Sequence, residues 1–462
     1  MTEIYRIAKC ISVLGILLVT WGMQSSQANA RPRSSLALAD LIERFTELRE
    51  LRPPSKCIGS SAEERYQLRI SDGRVVDADL VNEIRGYART AGTTGGYGGR
   101  LRVVTTLEDY DDHEPPILGS LRAHLETAKR NEEPAWIVFG EGLPARGRLL
   151  LKRTLRIPSN TTIDGACVNI ILEAPYRSKT MFAYVADGVE NVIISRLSMR
   201  KIGYVPELYA EAGSAIVVNG RFDRVAIIGN DLSACGHSCI DITVSPNRPL
   251  PTRARISVLY NFIHDNDKAM LFGTYNCPQV DGLNTCDESD GEANRRSQTS
   301  MYLTLQGNVF ARTGQRNPRI FGRVTAHILN NLIAFRPLAY ADGRFASSYG
   351  IFVSNGARAL VEGNLVLPLT DEGKRALGIW TVGTPGALRV STDVEGFIRL
   401  GPNVILRNAI VSANKPRNVE RPDYAYAILP LEALSHETLA MCLLEQAGRS
   451  GRRAAARATC ER

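Results

Sequence analysis

The sequence predicts an all-β solenoid, a parallel β-helix with N-terminal and C-terminal helical caps, and three observations predict it. From about residue 100, short β-branched runs recur, each broken by Gly, Asn, Asp or Ser: AWIVFGEG (135–142), VENVIISRLSM (189–199), DRVAIIGNDL (223–232), RISVLYNFI (255–263). Regularly repeated short strands with turn signals point to a repeat architecture. Many of these units place an asparagine just after the strand, at Asn230, Asn261, Asn308, Asn331, Asn364 and Asn408. Helical periodicity is confined to the two ends, in LALADLIERFTELRELR (36–52) and LPLEALSHETLAMCLLEQAG (429–448).

The asparagine positions carry the argument furthest. Their spacings are 31, 47, 23, 33 and 44 residues. A short minimum with longer values fits a fixed coil carrying insertions, and does not fit propeller blades of constant length. Asparagine tolerates the left-handed conformation, and its amide hydrogen-bonds between stacked copies. At the same corner of successive coils it forms a ladder. Each coil then buries its apolar face only by stacking on its neighbours. An immunoglobulin-like sandwich would instead need hairpin turns every 8–12 residues, which are scarce here.

In chain order, residues 1–30 read as a signal peptide. Arg6 and Lys9 precede a short apolar run and an Ala28-Asn29-Ala30 cleavage site, and the run is too short to span a bilayer comfortably. Residues 31–92 read as an N-terminal helical extension, with an amphipathic helix stopped at Pro53-Pro54 and a second from Asp77 to Ala91. The glycine-rich TTGGYGG (93–99) lacks the Lys-Ser/Thr of a phosphate loop and is followed by a strand-like run, so it reads as a tight backbone turn. Residues 93–413 form the β-helix. Its longest insertion, 274–299, is acidic and carries Asp281, Asp287 and Asp290. Residues 414–462 leave the repeat as a C-terminal helical cap and tail.

The chain carries a formal charge of +8 and nine cysteines, of which Cys10 leaves with the signal. A basic exported protein favours anionic partners: acidic polysaccharide, a cell surface or nucleic acid. Eight remaining cysteines suit an oxidising compartment, with Cys277/Cys286 and Cys442/Cys460 the expected bridges. Cys235 and Cys239 either pair or, with His237, suggest a metal site. The protein is expected outside the cytoplasm, secreted or periplasmic.

One stretch, residues 302–331, packs Arg316, Arg319 and Arg323 between two β-type runs. Guanidinium groups keep their charge and are costly to desolvate without partners. These arginines therefore face water or an anion.

The order of GGYGG, VVTTLED (103–109), GSLRAHLE (119–126), AWIVFGEG, SNTTIDGA (159–166), VENVIISRLSM, DNDKAMLFG (265–273) and GNVF…GQRNPR…H…NN (307–331) resembles the pectate/pectin lyase family over roughly residues 90–370. The resemblance implies a right-handed parallel β-helix and cleavage of an acidic polysaccharide by β-elimination. It also implies site residues. Arg316 matches the family's proposed base, and Lys268 matches the lysine that binds the substrate carboxylate. An arginine, whose guanidinium stays charged, is equally well described as an electrostatic stabiliser.

The departures from the family pattern are as informative. The family's second arginine is Phe321 here, leaving Arg319 or Arg323 as substitutes in substrate binding. Its calcium aspartates read Ser214, His237 and Asp241, and the W-I-D-H motif reads Ala226-Ile227-Ile228-Gly229. Asp241 alone remains as a metal ligand, and one carboxylate does not build a calcium site needing six to eight oxygens. No cofactor is certain, and calcium stays possible through the acidic insertion.

The leading expectation is an exported monomeric lyase acting on a uronic-acid polymer, without nucleic acid and without a membrane anchor after signal cleavage. The alternatives are a non-catalytic β-helix that binds acidic polysaccharide, and a β-helix glycoside hydrolase, for which Asp231 and Asp241 are the available carboxylates.

Overall fold

The short apolar runs are strands, and they stack coil on coil in parallel register. The computed structural model describes residues 38–46, 61–144, 146–175, 179–186, 188–202, 213–244, 253–274, 279–280, 283–284, 300–336, 349–369, 377–381, 397–406, 410–411, 419–429 and 434–448. Residues 39–462 form one compact unit. The signal-peptide segment, Asn408, the acidic insertion with Asp281, Asp287 and Asp290, and Cys57, Cys277, Cys286 and Cys460 lie outside the described residues.

Among the described residues, one sheet of 12 strands forms the first wall. It opens with an antiparallel hairpin, Leu68–Ser71 with Arg74–Ala78, and continues in parallel pairs from Arg100–Val104 to Phe397–Leu400. One rung runs Val225, Ile256, Leu303, Ala326, Ala359, Ile398. A second sheet of 17 described strands makes two further walls as alternating rows. Its strand Phe262–Thr274 runs through the corner between them and belongs to both rows. Alternate residues face inward, as the two-residue period of a strand requires. Thus Ile240, Ile242, Met270, Phe272, Ile320, Ile351 and Val353 enter the core, and Asp241, Leu271, Arg319 and Phe352 share a rung on the outer face.

The asparagines form the expected ladder. Each Nδ2 donates to the Oδ1 of the next, through Asn230, Asn261, Asn308, Asn331, Asn364 and finally Asn403, at 2.8 to 3.1 Å. The same Oδ1 atoms accept from the backbone N–H of the preceding rung, at 2.8 to 3.0 Å. Asn403 holds the rung that the sequence reading gave to Asn408. It is Asn403 that directly precedes a strand, Val404–Ile405, in register with Leu365 and Val366.

The expected helix from Asp77 to Ala91 is broken. Residues Arg74–Ala78 are strand, and two short helices follow, Asp79–Glu83 and Gly86–Thr90. The chain must lie flat on the first sheet, where Thr304 Oγ1 and Ser257 Oγ accept from the N–H groups of Tyr87 and Ala88, both at 3.0 Å. Gly86 makes this possible at φ +68°, in the left-handed region, where a Cβ would come within 2.1 Å of Thr304 Oγ1. The glycine-rich turn is held the same way. Asn191 Oδ1 accepts from the N–H groups of Thr94 and Gly95, each at 2.8 Å, and a Cβ on Gly96 would fall 2.0 Å from the carbonyl oxygen of Ala135. It is a backbone packing device.

At the C-terminal end, Ser435 caps the helix His436–Gln446. Residues 419–429 run over the first sheet, where the Tyr424 hydroxyl meets His327 Nδ1 at 2.8 Å and Thr304 Oγ1 at 2.9 Å. His327 is buried and bonded through Nε2 to Glu362 at 3.0 Å, a structural role. Cys235 and Cys239 are joined by a disulfide, so the CGHSC segment offers no thiolates to a metal. Cys167 and Cys442 are each disulfide-bonded as well.

An ion network clamps the outer face beside the corner strand. His264 contacts Asp231 at 3.0 Å and Asp265 at 2.7 Å, and Arg312 contacts Asp265 at 2.7 Å and Glu43 at 3.1 Å. Burial alone would lower the His264 pKa, but the two carboxylates outweigh it and raise it to about 9. A group raised above its unfolded value of 6.5 contributes stability that is complete below that value and is lost as pH rises through 9. We therefore expect the melting temperature of the wild type to fall between pH 7 and 10 more steeply than that of His264→Gln. Parallel curves in a thermal melt series would contradict this.

Candidate functional site

The corner strand brings the cationic residues together. Across three successive coils, Ser238, Lys268 and Gln315 occupy one rung. Arg316 follows Gln315 in the left-handed conformation, at φ 58°, and precedes a cis Asn317–Pro318 bond. Its backbone is pinned from both sides. The carbonyl oxygen of Arg316 accepts from Met270 N–H at 2.8 Å, and Asn317 N–H donates to Gly350 at 3.0 Å. Arg316 Nη1 then donates to Ser238 Oγ at 3.3 Å. Successive strands are about 4.8 Å apart, so a guanidinium that reaches two coils back crosses directly alongside Lys268. The Arg316 Nε atom has no hydrogen-bond partner among the described residues.

Lys268 is only 5% exposed. Asp267 Oδ2 lies 3.9 Å from its ammonium, and Gln315 Nε2 donates to the same carboxylate at 3.2 Å. Burial first, and the Arg316 charge second, push the Lys268 pKa down to about 8, with Asp267 acting in the other direction. Two cations are thus held side by side where water is largely excluded.

One coil above, Ser214, His237 and Asp241 meet. His237 Nδ1 lies 3.6 Å from Asp241 Oδ2, and Ser214 Oγ is 3.5 Å from each of them. The disulfide between Cys235 and Cys239 closes the turn that carries His237. As a calcium site this donor set does not fit: it offers one carboxylate where a hard cation needs six to eight oxygens. Among the described residues no group of three or more His, Cys, Asp or Glu is arranged to hold a metal. Asp231, the other carboxylate considered for hydrolysis, is held by His264 on a different strand, Asp231–Ser233.

Arg319 and Phe321 sit on the outer face of the coil below Lys268. The Arg319 guanidinium lies 5.3 Å from the Phe352 ring centroid and 5.7 Å from that of Phe321. Phe321 covers Gly273, its partner on the neighbouring strand. A Cβ on Gly273 would come within 2.0 Å of the ring, so the aromatic residue at the expected arginine position is matched by a glycine that makes room for it. Gly273→Ala is expected to lower stability by about 1–3 kcal/mol through displacement of this ring; an unchanged denaturant midpoint would refute the packing argument. Arg323 is exposed and lies beyond the strand, its N–H donating to Thr274 Oγ1 at 2.6 Å.

Of the residues singled out in the sequence, the structure therefore joins Lys268 and Arg316, sets Arg319 on the same face one coil on, and leaves Arg323 at the edge. Asp241 sits on the same outer face one coil above. Sequence reasoning missed Ser238, Gln315 and Asp267. The last two adjoin Arg316 and Lys268 in the chain, which was the available signal; Ser238 had none, because its contact with Arg316 spans 78 residues.

No family model matches the chain. It is 29% identical over 300 residues to the probable pectate lyase 7 of Arabidopsis thaliana, covering 62% of this chain and 52% of that protein. It is 24% identical over 285 residues to a pectate lyase of Bacillus subtilis, covering 56% and 60%. The chain thus spans between half and two thirds of the length of the curated relatives it matches. Among solved structures, Jun a 1, the major allergen from cedar pollen, is similar with a TM-score of 0.53 at 19% identity, covering 86% of this chain and 99% of the allergen. At that identity the likeness is one of fold.

Proposed function

We propose that this chain, a divergent member of the pectate lyase family, is an exported polysaccharide lyase that cleaves a uronic-acid-containing polymer by β-elimination. The observation that carries the reading is the Lys268–Arg316 pair. Two cations pressed together in a half-buried corner repel each other and lose hydration. Folding gains nothing from that arrangement, whereas an anionic ligand relieves it.

Elimination needs what such a pair supplies. The proton at C5 of a uronate becomes acidic when the adjacent carboxylate is neutralised, and the charge that develops on proton removal is stabilised by fixed cations. The Ser214, His237 and Asp241 donor set does not supply a calcium ion for this task, so at this corner the work falls on side chains. Arg319, on the same face, is placed to meet a neighbouring sugar carboxylate.

The test is a panel of acidic glycans (polygalacturonate, methylated pectin, alginate) incubated with the protein, with and without a chelator, while unsaturated-uronate absorbance is followed. We expect product from at least one polymer, at a rate the chelator does not change. Absence of product from every uronate polymer would overturn the reading. Salt-sensitive binding without any cleavage would instead identify a polysaccharide-binding β-helix. Export rests on the amino-terminal segment; among the described residues no helix is long and apolar enough to cross a membrane.

A further inference from the structure

We infer that Arg156, laid on the ring of Tyr184, binds the carboxylate of a sugar unit about four positions along the polymer from the one at the Lys268–Arg316 corner. The inference takes its ligand from the lyase reading above and extends the site along the outer face toward the first coils.

Arg156 belongs to the same outer rung as the candidate site, although nothing in the sequence around it marks it. Register partners run Arg156, Tyr184, Val217, Asp241, Leu271, Arg319. The rung crosses the strands, and neighbouring strands are about 4.8 Å apart. That step is close to the rise of one sugar in an extended 1,4-linked chain. A polymer lying along the rung therefore advances by roughly one unit per coil. Leu271 shares the strand Phe262–Thr274 with Lys268. Arg156 stands four strands before it, about 19 Å away.

The way Arg156 is held separates it from arginines on the neighbouring walls. Arg200 pairs with Glu173 at 2.7 Å, Arg224 with Glu190 at 2.8 Å, and Arg312 with Asp265, each carboxylate standing on an adjacent coil. Such pairs cancel the charge of the outer surface. Arg156 is exposed, makes no ion pair among the described residues, and places its guanidinium 5.3 Å from the Tyr184 ring centroid. A ring face orients a guanidinium without neutralising it. The same construction recurs farther along the rung, where Arg319 lies 5.3 Å from the ring centroid of Phe352, its own register partner. Two arginines, each stacked on the aromatic residue one coil on, thus stand on either side of the Lys268–Arg316 corner. Between them Val217 is apolar, and Asp241 has His237 at 3.6 Å. Carboxylates of successive units in a twisted chain point in different directions, so the intervening coils need no cation of their own.

Oligogalacturonates and oligoalginates of three and six units test this, with KM measured where an oligomer is cleaved and Kd where it is not. The wild type is expected to hold the hexamer of one series more tightly than its trimer. Arg156→Ala should weaken the hexamer about threefold to fivefold, the size of an exposed charge contact. It should leave the trimer at the wild-type value and kcat unchanged. Arg156→Glu sets a like charge against the carboxylate and should weaken the hexamer by about tenfold or more. Tyr184→Ala removes the platform and should give part of the Arg156→Ala loss, with circular-dichroism melts confirming that each variant is folded. The inference is overturned if both Arg156 variants hold the hexamer as the wild type does, or if trimer and hexamer lose equally. A wild type that holds both lengths alike, or neither, overturns it too. Cleavage is scored separately. Binding with this dependence on length and on Arg156 but without unsaturated product removes the lyase reading and keeps the subsite; cleavage indifferent to Arg156 does the reverse.

Discussion

Arg316→Ala is expected to lower the rate of unsaturated-uronate formation by about 10²–10³-fold, the usual cost of removing one preorganised charge that stabilises a developing anion. The effect is large because Arg316 is rigid before substrate arrives. Its carbonyl is bonded to Met270, the following Asn317 N–H to Gly350 and its side chain to Ser238, so little reorganisation is needed. A second effect follows from its neighbour. Arg316 is one of the two causes that hold the Lys268 pKa down, so its removal should raise that pKa. Arg316→Lys keeps a charge but is too short to span two coils to Ser238, and is expected to recover only part of the rate. Both variants are to be read by initial rates across pH 6–10 alongside polymer binding. An Arg316→Ala enzyme that cleaves at the wild-type rate would remove Arg316 from the chemistry.

Asn308→Ala is expected to lower stability by about 3–5 kcal/mol, enough to consume much of a typical domain's stability. Asn308 is fully buried at the middle of the ladder. Its Nδ2 donates to the Val258 carbonyl at 2.9 Å, and its Oδ1 accepts from both the backbone N–H and the Nδ2 of Asn261 at 3.0 Å. Alanine strands those buried groups without water to replace the lost partner, and each costs about 1–3 kcal/mol. A truncation at the exposed Arg323 should barely move the midpoint, which separates the ladder from a general sensitivity of the chain. Denaturant unfolding of the two variants decides the matter, and equal midpoints would mean that the ladder carries no special load.

Much of this was legible in the sequence because the signals are local. Strands announce themselves through β-branched runs, and alternation assigns Ile240 inward and Asp241 outward without any knowledge of the partner strand. The asparagine after each strand marks the corner for the same reason. Lys268 and Arg316 could be singled out from their motifs, and Phe321 could be seen to replace an arginine. Where the local signal was ambiguous the reading slipped. Asn408 follows the apolar run at 404–406 as the pattern asks, and only the register of Val404–Ile405 with Leu365 and Val366 selects Asn403. The helix expected from Asp77 to Ala91 yields because the hydroxyls of Ser257 and Thr304, far away in the chain, accept its N–H groups and flatten it onto the sheet.

The sequence by itself determined the fold class, the ladder and the two residues on which the proposed function rests. The tertiary structure alone decided that those two residues touch the same space. Coil lengths vary with their insertions, so the rung that joins Ser238, Lys268 and Gln315 is set by how strands slide into register and not by any spacing in the chain. The same stacking buries Lys268, brings the Arg316 charge near it and lowers its pKa. Burial and proximity of like charges are properties of packed coils, and no single coil carries them.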